Sequence, residues 1–171
     1  MIEQEEGRAA ASVGEAAPLG LFGFASATFT ISAVLAGWFP ATTALFATPL
    51  LFIFGGLAQF IAGMWSYRKG DTFAATAFGS FGAFNTTYAL LLWFQHSGLV
   101  TGPAAGLGVT GVFVACFSLI ALFLMIAAMW KNMALVLVLF FLALTYGLIG
   151  ASDIAAGAPN LLSYGGWAGY W

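Results

Sequence analysis

Charged residues are scarce in this sequence, since only 6% of its 171 residues are Asp, Glu, Lys or Arg. Soluble domains carry about 25% charged residues, so this chain lacks the charge to cover itself with a solvated surface. Because 62% of its residues are hydrophobic, the chain is predicted to be a polytopic membrane protein whose surroundings are the lipid bilayer. No basic patch is present that would suggest a nucleic-acid partner.

Cysteine and histidine are nearly absent too. The chain has one cysteine, Cys116, and one histidine, His96. A single cysteine allows no intrachain disulfide, and one Cys with one His supplies neither a set of metal ligands nor a nucleophile–base pair. The sequence therefore predicts a protein that is not an enzyme and that uses no metal and no cofactor.

Long apolar runs make up most of the chain, at about 18–38, 43–66, 72–95, 106–129 and 132–151. Each is near the ~20 residues that a membrane-spanning helix needs. A further run begins near Leu161 and stops at Trp171, about half the length of a span. It is either a truncated sixth span, which we favour, or a segment in the membrane interface. The expected fold class is an all-α bundle of six transmembrane helices (17–171), preceded by a tail (1–16).

The four basic residues all fall on one predicted side of the membrane. Arg8 lies in the tail, Arg68 and Lys69 lie in the second connection, and Lys131 lies in the fourth. The positive-inside rule makes this side, with the N-terminus, cytoplasmic. No Asp, Glu, Lys or Arg lies well inside any span. This absence argues against a proton relay of buried acids and bases.

Small and polar residues follow the helix faces of the spans. In the third span Ala75, Gly79 and Ala83 form a row through which we expect this helix to pack closely against a neighbour. Most Ser and Thr residues are expected to bond to backbone carbonyls. For Gln59 and Asn85 both a pore lining and a packing network stay open, because a buried amide needs partners for its donors and its oxygen.

Two stretches resemble one family of transporters. The segment "APLGLFGFASATF" (17–29) resembles the N-terminal signature of the acetate uptake transporter family, the succinate–acetate permeases. The segment "FGGLAQFIAGMWSYRKGDTFAATAFGSFGAF" (54–84) resembles a second segment of that family. Together they cover two of the spans closely.

The chain departs from the family pattern at a few positions. The Asn that opens the family signature is Glu15 here, or Ala16 if the match shifts by one residue. The acid before the basic pair is Ser66, so no salt bridge is expected from that position. The Asn after the glycine is Asp71, and a Tyr near the pore is Phe81.

The resemblance implies transport of small monocarboxylates, chiefly acetate and in some members succinate, through a path within each protomer. It implies a ring-forming oligomer, a hexamer in relatives, in the inner or plasma membrane. It also implies a hydrophobic constriction at Phe24 and Phe81 with a third residue on the fifth span, best matched by Phe140 although Leu139 or Phe141 would also fit. Helix faces add four polar lining positions, namely Thr28, Gln59, Ser80 and Asn85.

The start of the first span is expected to form the entrance, at Pro18, Leu19 and Gly20. Proline is tolerated in the first helical turn, and a helix N-terminus carries about half a positive charge that attracts a carboxylate. Alternatively, Gly20 and Gly23 only permit close helix packing. The competing functions are a channel for another small solute such as ammonium and a membrane scaffold that transports nothing.

Overall fold

The protein forms long helices joined by short connections. The computed structural model describes residues 14–99 and 103–155. Within them lie α1 (Ala17–Leu35), α2 (Ala44–Arg68), α3 (Thr72–His96), α4 (Pro103–Ala128) and α5 (Met133–Ile154). Each helix end is within three residues of the predicted end of its span. Most of the predicted tail, and the run that begins near Leu161, lie outside the described residues.

The all-helical class is confirmed, since the described ranges contain helices and no strand. Within the part of the chain that the structure describes, four helices are long and apolar enough to cross a membrane: α1, α2, α4 from Gly108 onward, and α5. Helix α3 has 25 residues, which rise about 37 Å, but is less apolar because of its Ser, Thr and Asn residues. The count of six spans stays a prediction. Asp153, expected in a connection, lies in the last turn of α5.

The reversal between α2 and α3 takes only three residues. Gly70 has a φ of +78°, which glycine adopts at no steric cost. Its N–H donates to the carbonyl oxygen of Tyr67 at 3.0 Å, and the N–H of Asp71 donates to that of Ser66 at 3.0 Å. Asp71 Oδ1 then accepts from the N–H of Ala74 at 3.1 Å and so caps α3. This connection therefore ends one helix and begins the next.

The chain packs as two units. One contains residues 14–27 and 49–89 of the described chain, and the other contains 28–48 and 90–155. In the second unit α4 and α5 cross at two glycines: a Cβ on Gly111 would lie 2.8 Å from the carbonyl oxygen of Gly150, and the reverse distance is also 2.8 Å. The hydroxyl of Ser118 donates to the carbonyl oxygen of Ala143 at 2.7 Å. Small residues and a polar contact thus join these helices.

In the first unit α2 and α3 touch backbone to backbone. A Cβ on Gly63 would lie 2.6 Å from the backbone N of Gly79 and 3.1 Å from the carbonyl oxygen of Ala75. A Cβ on Gly79 itself would meet only the methyl group of Met64, at 3.6 Å. The contact therefore requires a glycine at position 63, where any side chain would collide with α3. Gly79 takes part through its backbone atoms, and a methyl group there would fit.

The row Ala75, Gly79 and Ala83 is not the packing face of α3 along its whole length. Ala83 is exposed, whereas Gly82 is buried and lies so close to α2 that a Cβ there would be 2.6 Å from the backbone N of Phe60. The expectation is wrong at Ala83. The contact with α2 follows positions i, i+4 and i+7, which are Ala75, Gly79 and Gly82, because a row spaced strictly by four residues turns away from one face of a helix.

Candidate functional site

An irregular turn in the middle of α2 organises the first unit. Pro49 has no N–H to continue the helical hydrogen bonds, and a π-helical segment (Leu51–Ala58) follows it closely. Such segments are rare and frequently mark functional sites. Within this segment Gly55 is packed so tightly that a Cβ would lie 2.6 Å from the Cβ of Ala27 and 3.1 Å from the Cγ of Asn85. Helices α1 and α3 thus both contact α2 at its π-helical segment.

Two buried amides meet at this turn. Asn85 Nδ2 donates to the carbonyl oxygen of Gly55 at 3.1 Å and to Gln59 Oε1 at 3.3 Å. Asn85 is 3% exposed and Gln59 is 1% exposed. Gln59 Nε2 is buried and has no hydrogen-bond partner among the described residues. The structure therefore joins the two residues in one network and leaves one of its donors unused.

The two predicted constriction residues of this unit also meet. The rings of Phe24 and Phe81 have centroids 6.1 Å apart and planes inclined by 45°, within the range of favourable aromatic pairs. Phe81 is 3% exposed, and Phe24 is partly exposed. Phe81 lies one helical turn before Asn85 on α3, so the aromatic pair and the amide pair are neighbours.

The remaining lining positions differ in what their polar groups can do. Ser80 donates its hydroxyl to the carbonyl oxygen of Thr76 at 2.6 Å, so this hydrogen is already used within α3. Thr28 is partly buried and lies one turn after Phe24 on α1. Both positions stay predictions as lining residues.

The fifth-helix contributor belongs to the second unit. Phe140 is 47% exposed, and its ring meets that of Phe141 edge-on at 5.4 Å. Leu139, the alternative before it, is buried. Neither the choice among these residues nor their part in a constriction is decided by these contacts, so Phe140 stays a prediction.

The start of α1 is closely packed. A Cβ on Gly20 would lie 2.8 Å from the ring of Phe78, and a Cβ on Gly23 would overlap the carbonyl oxygen of Phe54. These contacts favour the packing interpretation of the two glycines. The role of Pro18, Leu19 and Gly20 as an entrance stays a prediction.

A carboxylate of the chain itself lies at this helix start. Glu15 Oε1 accepts from the N–H of Ala17 at 3.4 Å, and Oε2 accepts from Lys69 Nζ at 2.8 Å. The Lys69 hydrogen bond, with a smaller contribution from Ala17, lowers the pKa of Glu15. The stabilisation that the Glu15–Lys69 pair contributes is therefore present above the ordinary pKa of a glutamate. It is lost as the pH falls through the lowered pKa of Glu15.

The Glu15–Lys69 pair was missed in the sequence because nothing in the pattern relates positions 54 residues apart. Ser66, where the family has an acid, instead donates its hydroxyl to the carbonyl oxygen of Ala62 at 2.9 Å. The acid that meets the basic pair thus comes from the N-terminal segment. Since Glu15 is exposed, the pair contributes little to stability.

Comparison with known proteins extends these observations over nearly the whole chain. Residues 5–171 match the model of the GPR1/FUN34/yaaH family. The chain belongs to this family. The match confirms the resemblance that the two segments indicated and extends it to the helices that those segments do not cover.

Two relatives of this chain are named for the transport of acetate. The chain is 32% identical over 153 residues to the succinate-acetate/proton symporter SatP of Escherichia coli K12, covering 90% of this chain and 79% of that protein. It is 33% identical over 165 residues to acetate permease A of Emericella nidulans, covering 90% of this chain and 55% of that protein.

A solved structure, described as that of the bacterial acetate channel SatP, matches with a TM-score of 0.84 and 30% identity. The match covers 92% of this chain and 84% of the other. These relatives are named symporter, permease and channel, so the family is one of transport proteins and not of enzymes.

Proposed function

We propose that this protein conducts small monocarboxylates, chiefly acetate and with succinate as a further substrate, across a membrane. The observation that carries the proposal is the pairing of an aromatic contact with a buried amide network in the first unit. The ring centroids of Phe24 and Phe81 are 6.1 Å apart. Asn85, one turn further along α3, donates a hydrogen bond to Gln59. The names of the family relatives give the substrate class.

The two parts of the site suit the two ends of acetate. The aromatic rings present an apolar surface to a methyl group and resist a hydrated ion. A neutral amide donor meets the carboxylate without a buried Lys or Arg. Because a neutral donor holds an anion less tightly than a full charge does, the ligand is able to leave again, as conduction requires.

The test is uptake of labelled acetate into liposomes that contain the purified protein. We expect saturable uptake above that of empty liposomes, with formate, lactate and succinate as competitors and with pH gradients of both signs. Uptake of ammonium in place of acetate would identify a channel for another solute. Uptake of neither would leave the scaffold as the function.

We further propose the membrane arrangement that the sequence and the resemblance imply. Six helices per protomer assemble as a hexameric ring in the inner or plasma membrane, with a cytoplasmic N-terminus. Phe140 completes the constriction. The distribution of the basic residues supports the orientation, because Arg68, Lys69 and Lys131 lie at connections on one predicted side.

Cysteine labelling in intact cells tests this orientation. Ser97 and Met129 are both exposed, and they lie just after α3 and α4 respectively, at opposite predicted sides. In a Cys116→Ala background we expect a membrane-impermeant thiol reagent to modify Ser97→Cys and not Met129→Cys. Permeabilised cells, in which both should react, are the control. Labelling of Met129→Cys alone in intact cells would reverse the topology.

A further inference from the structure

The hydrogen bonds determine the orientation of both amides. Asn85 on α3 donates to two acceptors on α2, the carbonyl oxygen of Gly55 and Gln59 Oε1. The carbonyl oxygen of Gly55 is only an acceptor, so the Asn85 atom 3.1 Å from it must be the nitrogen of the amide. That same nitrogen lies 3.3 Å from the Gln59 amide, and it must therefore face an acceptor there too. Asn85 thus sets the Gln59 oxygen toward itself and the Gln59 nitrogen away from itself.

Turning the Gln59 amide over would place two N–H donors against each other in a buried site. Asn85 has no freedom to turn in response, because Gly55 O accepts from its amide and because the π-helical segment holds Gly55 close to Asn85 Cγ. The orientation of Gln59 is therefore decided by a backbone carbonyl two contacts away.

The result is a donor that the described chain does not use. Gln59 Nε2 is buried and meets no acceptor among the described residues, and a buried N–H without an acceptor is unfavourable. The hydroxyl of Ser80, another predicted lining residue, differs because it donates within its own helix. An incoming ligand that offers an acceptor oxygen would therefore find this donor prepared.

The side chain of Gln59 begins next to the stretch of α1 that carries Phe24. The Cβ of Gln59 is 3.6 Å from the position that a Cβ on Gly23 would take, and Phe24 is the next residue of α1. On the α3 side, Phe81 is one turn before Asn85. A carboxylate that reaches Gln59 Nε2 would thus have apolar rings close to its hydrocarbon end.

We propose that Gln59 Nε2 donates a hydrogen bond to the carboxylate oxygen of the substrate, and that Asn85 is the positioning residue which turns this donor toward it. This inference rests on the proposed transport of monocarboxylates. It also gives a reason for selectivity by charge. A carboxylate is a strong acceptor, whereas ammonium has no acceptor to offer to an N–H group.

Transport kinetics of three variants test the proposal. Gln59→Met removes the donor at nearly unchanged volume, and we expect it to raise the KM for acetate about tenfold. Asn85→Leu should raise the KM by a smaller factor, because the Gln59 amide is then free to turn. In the double variant, Asn85→Leu should add nothing to Gln59→Met, since Asn85 acts through Gln59 alone. Thr87→Val, an exposed position on α3 whose hydroxyl donates to Ala83 O, is the matched control and should leave the KM unchanged.

A second measurement does not depend on flux or on the stability of the variants. In protein labelled with ¹⁵N-glutamine, which has only Gln4, Gln59 and Gln95 to resolve, acetate should shift the side-chain resonance of Gln59. Chloride at the same ionic strength should not shift it. A shift that saturates with acetate supports the proposal, and a resonance that acetate leaves in place overturns it.

The outcomes separate this inference from the proposed function. Acetate uptake by the wild type with an unchanged KM in Gln59→Met overturns the inference and leaves the function standing. If the wild type transports no monocarboxylate, the function fails, and the acetate titration of Gln59 alone decides whether the amide binds a carboxylate. Additive effects of the two substitutions on KM would show that Asn85 does not act through Gln59.

Discussion

Replacing Gly63 by alanine is expected to lower the stability of the protein sharply, whereas the same change at Gly79 is expected to be harmless. The new Cβ at position 63 would lie 2.6 Å from the backbone N and 3.0 Å from the Cα of Gly79. Backbone atoms cannot move aside as a flexible side chain does, so α2 and α3 must separate. Overpacking of this kind costs about 1–3 kcal/mol or more.

Gly79→Ala is a matched control because it makes the same chemical change across the same contact. Its Cβ would meet only the flexible end of Met64 at 3.6 Å, an ordinary contact. Alanine is also the better helix former by up to about 1 kcal/mol. Thermal unfolding in detergent, with the yield of monodisperse protein, measures the difference. Equal melting temperatures for the two variants would show that the helices do not touch at Gly63.

Replacing Phe81 by alanine is expected to change which acids pass. The substitution removes one of the two rings of the aromatic pair, so the path should widen and admit lactate and succinate more readily. Acetate selectivity should then fall more than acetate flux. Phe81 is also buried, so the variant should lose stability, about 3–5 kcal/mol for a Phe→Ala change in a core.

Phe78→Ala distinguishes the two consequences. Phe78 is one turn before Phe81, is also buried, and packs in a core cluster with Ala16 and Ala62. We expect this variant to lose stability without a change in the ratio of lactate flux to acetate flux in liposomes. Phe81→Tyr, which keeps the ring, should leave the size limit in place. If Phe81→Ala loses stability while the flux ratio stays constant, the constriction lies elsewhere.

The sequence by itself determined the class of the protein and the bounds of its helices. The scarcity of charge excludes a soluble fold, and apolar runs of about 20 residues are long enough to span the bilayer. Both properties depend on composition along the chain and not on which residues meet. The two family segments are equally local, which is why they indicated the family and named Phe24 and Phe81 as a pair.

The contacts between helices needed the tertiary structure. A row such as Ala75, Gly79 and Ala83 gives the faces of one helix, but which face meets a neighbour depends on the other helix, and Gly63 proved to be the small residue that the contact requires. The Glu15–Lys69 pair joins segments 54 residues apart.

The same reason applies to the two buried amides. Each was visible in the sequence as a polar residue with unmet hydrogen bonds, but the direction of their network depends on a carbonyl in the π-helical segment of α2. Hydrogen bonds are short and directional, so only the positions of the atoms decide that Asn85 donates to Gln59 and that the Gln59 nitrogen remains as the unused donor.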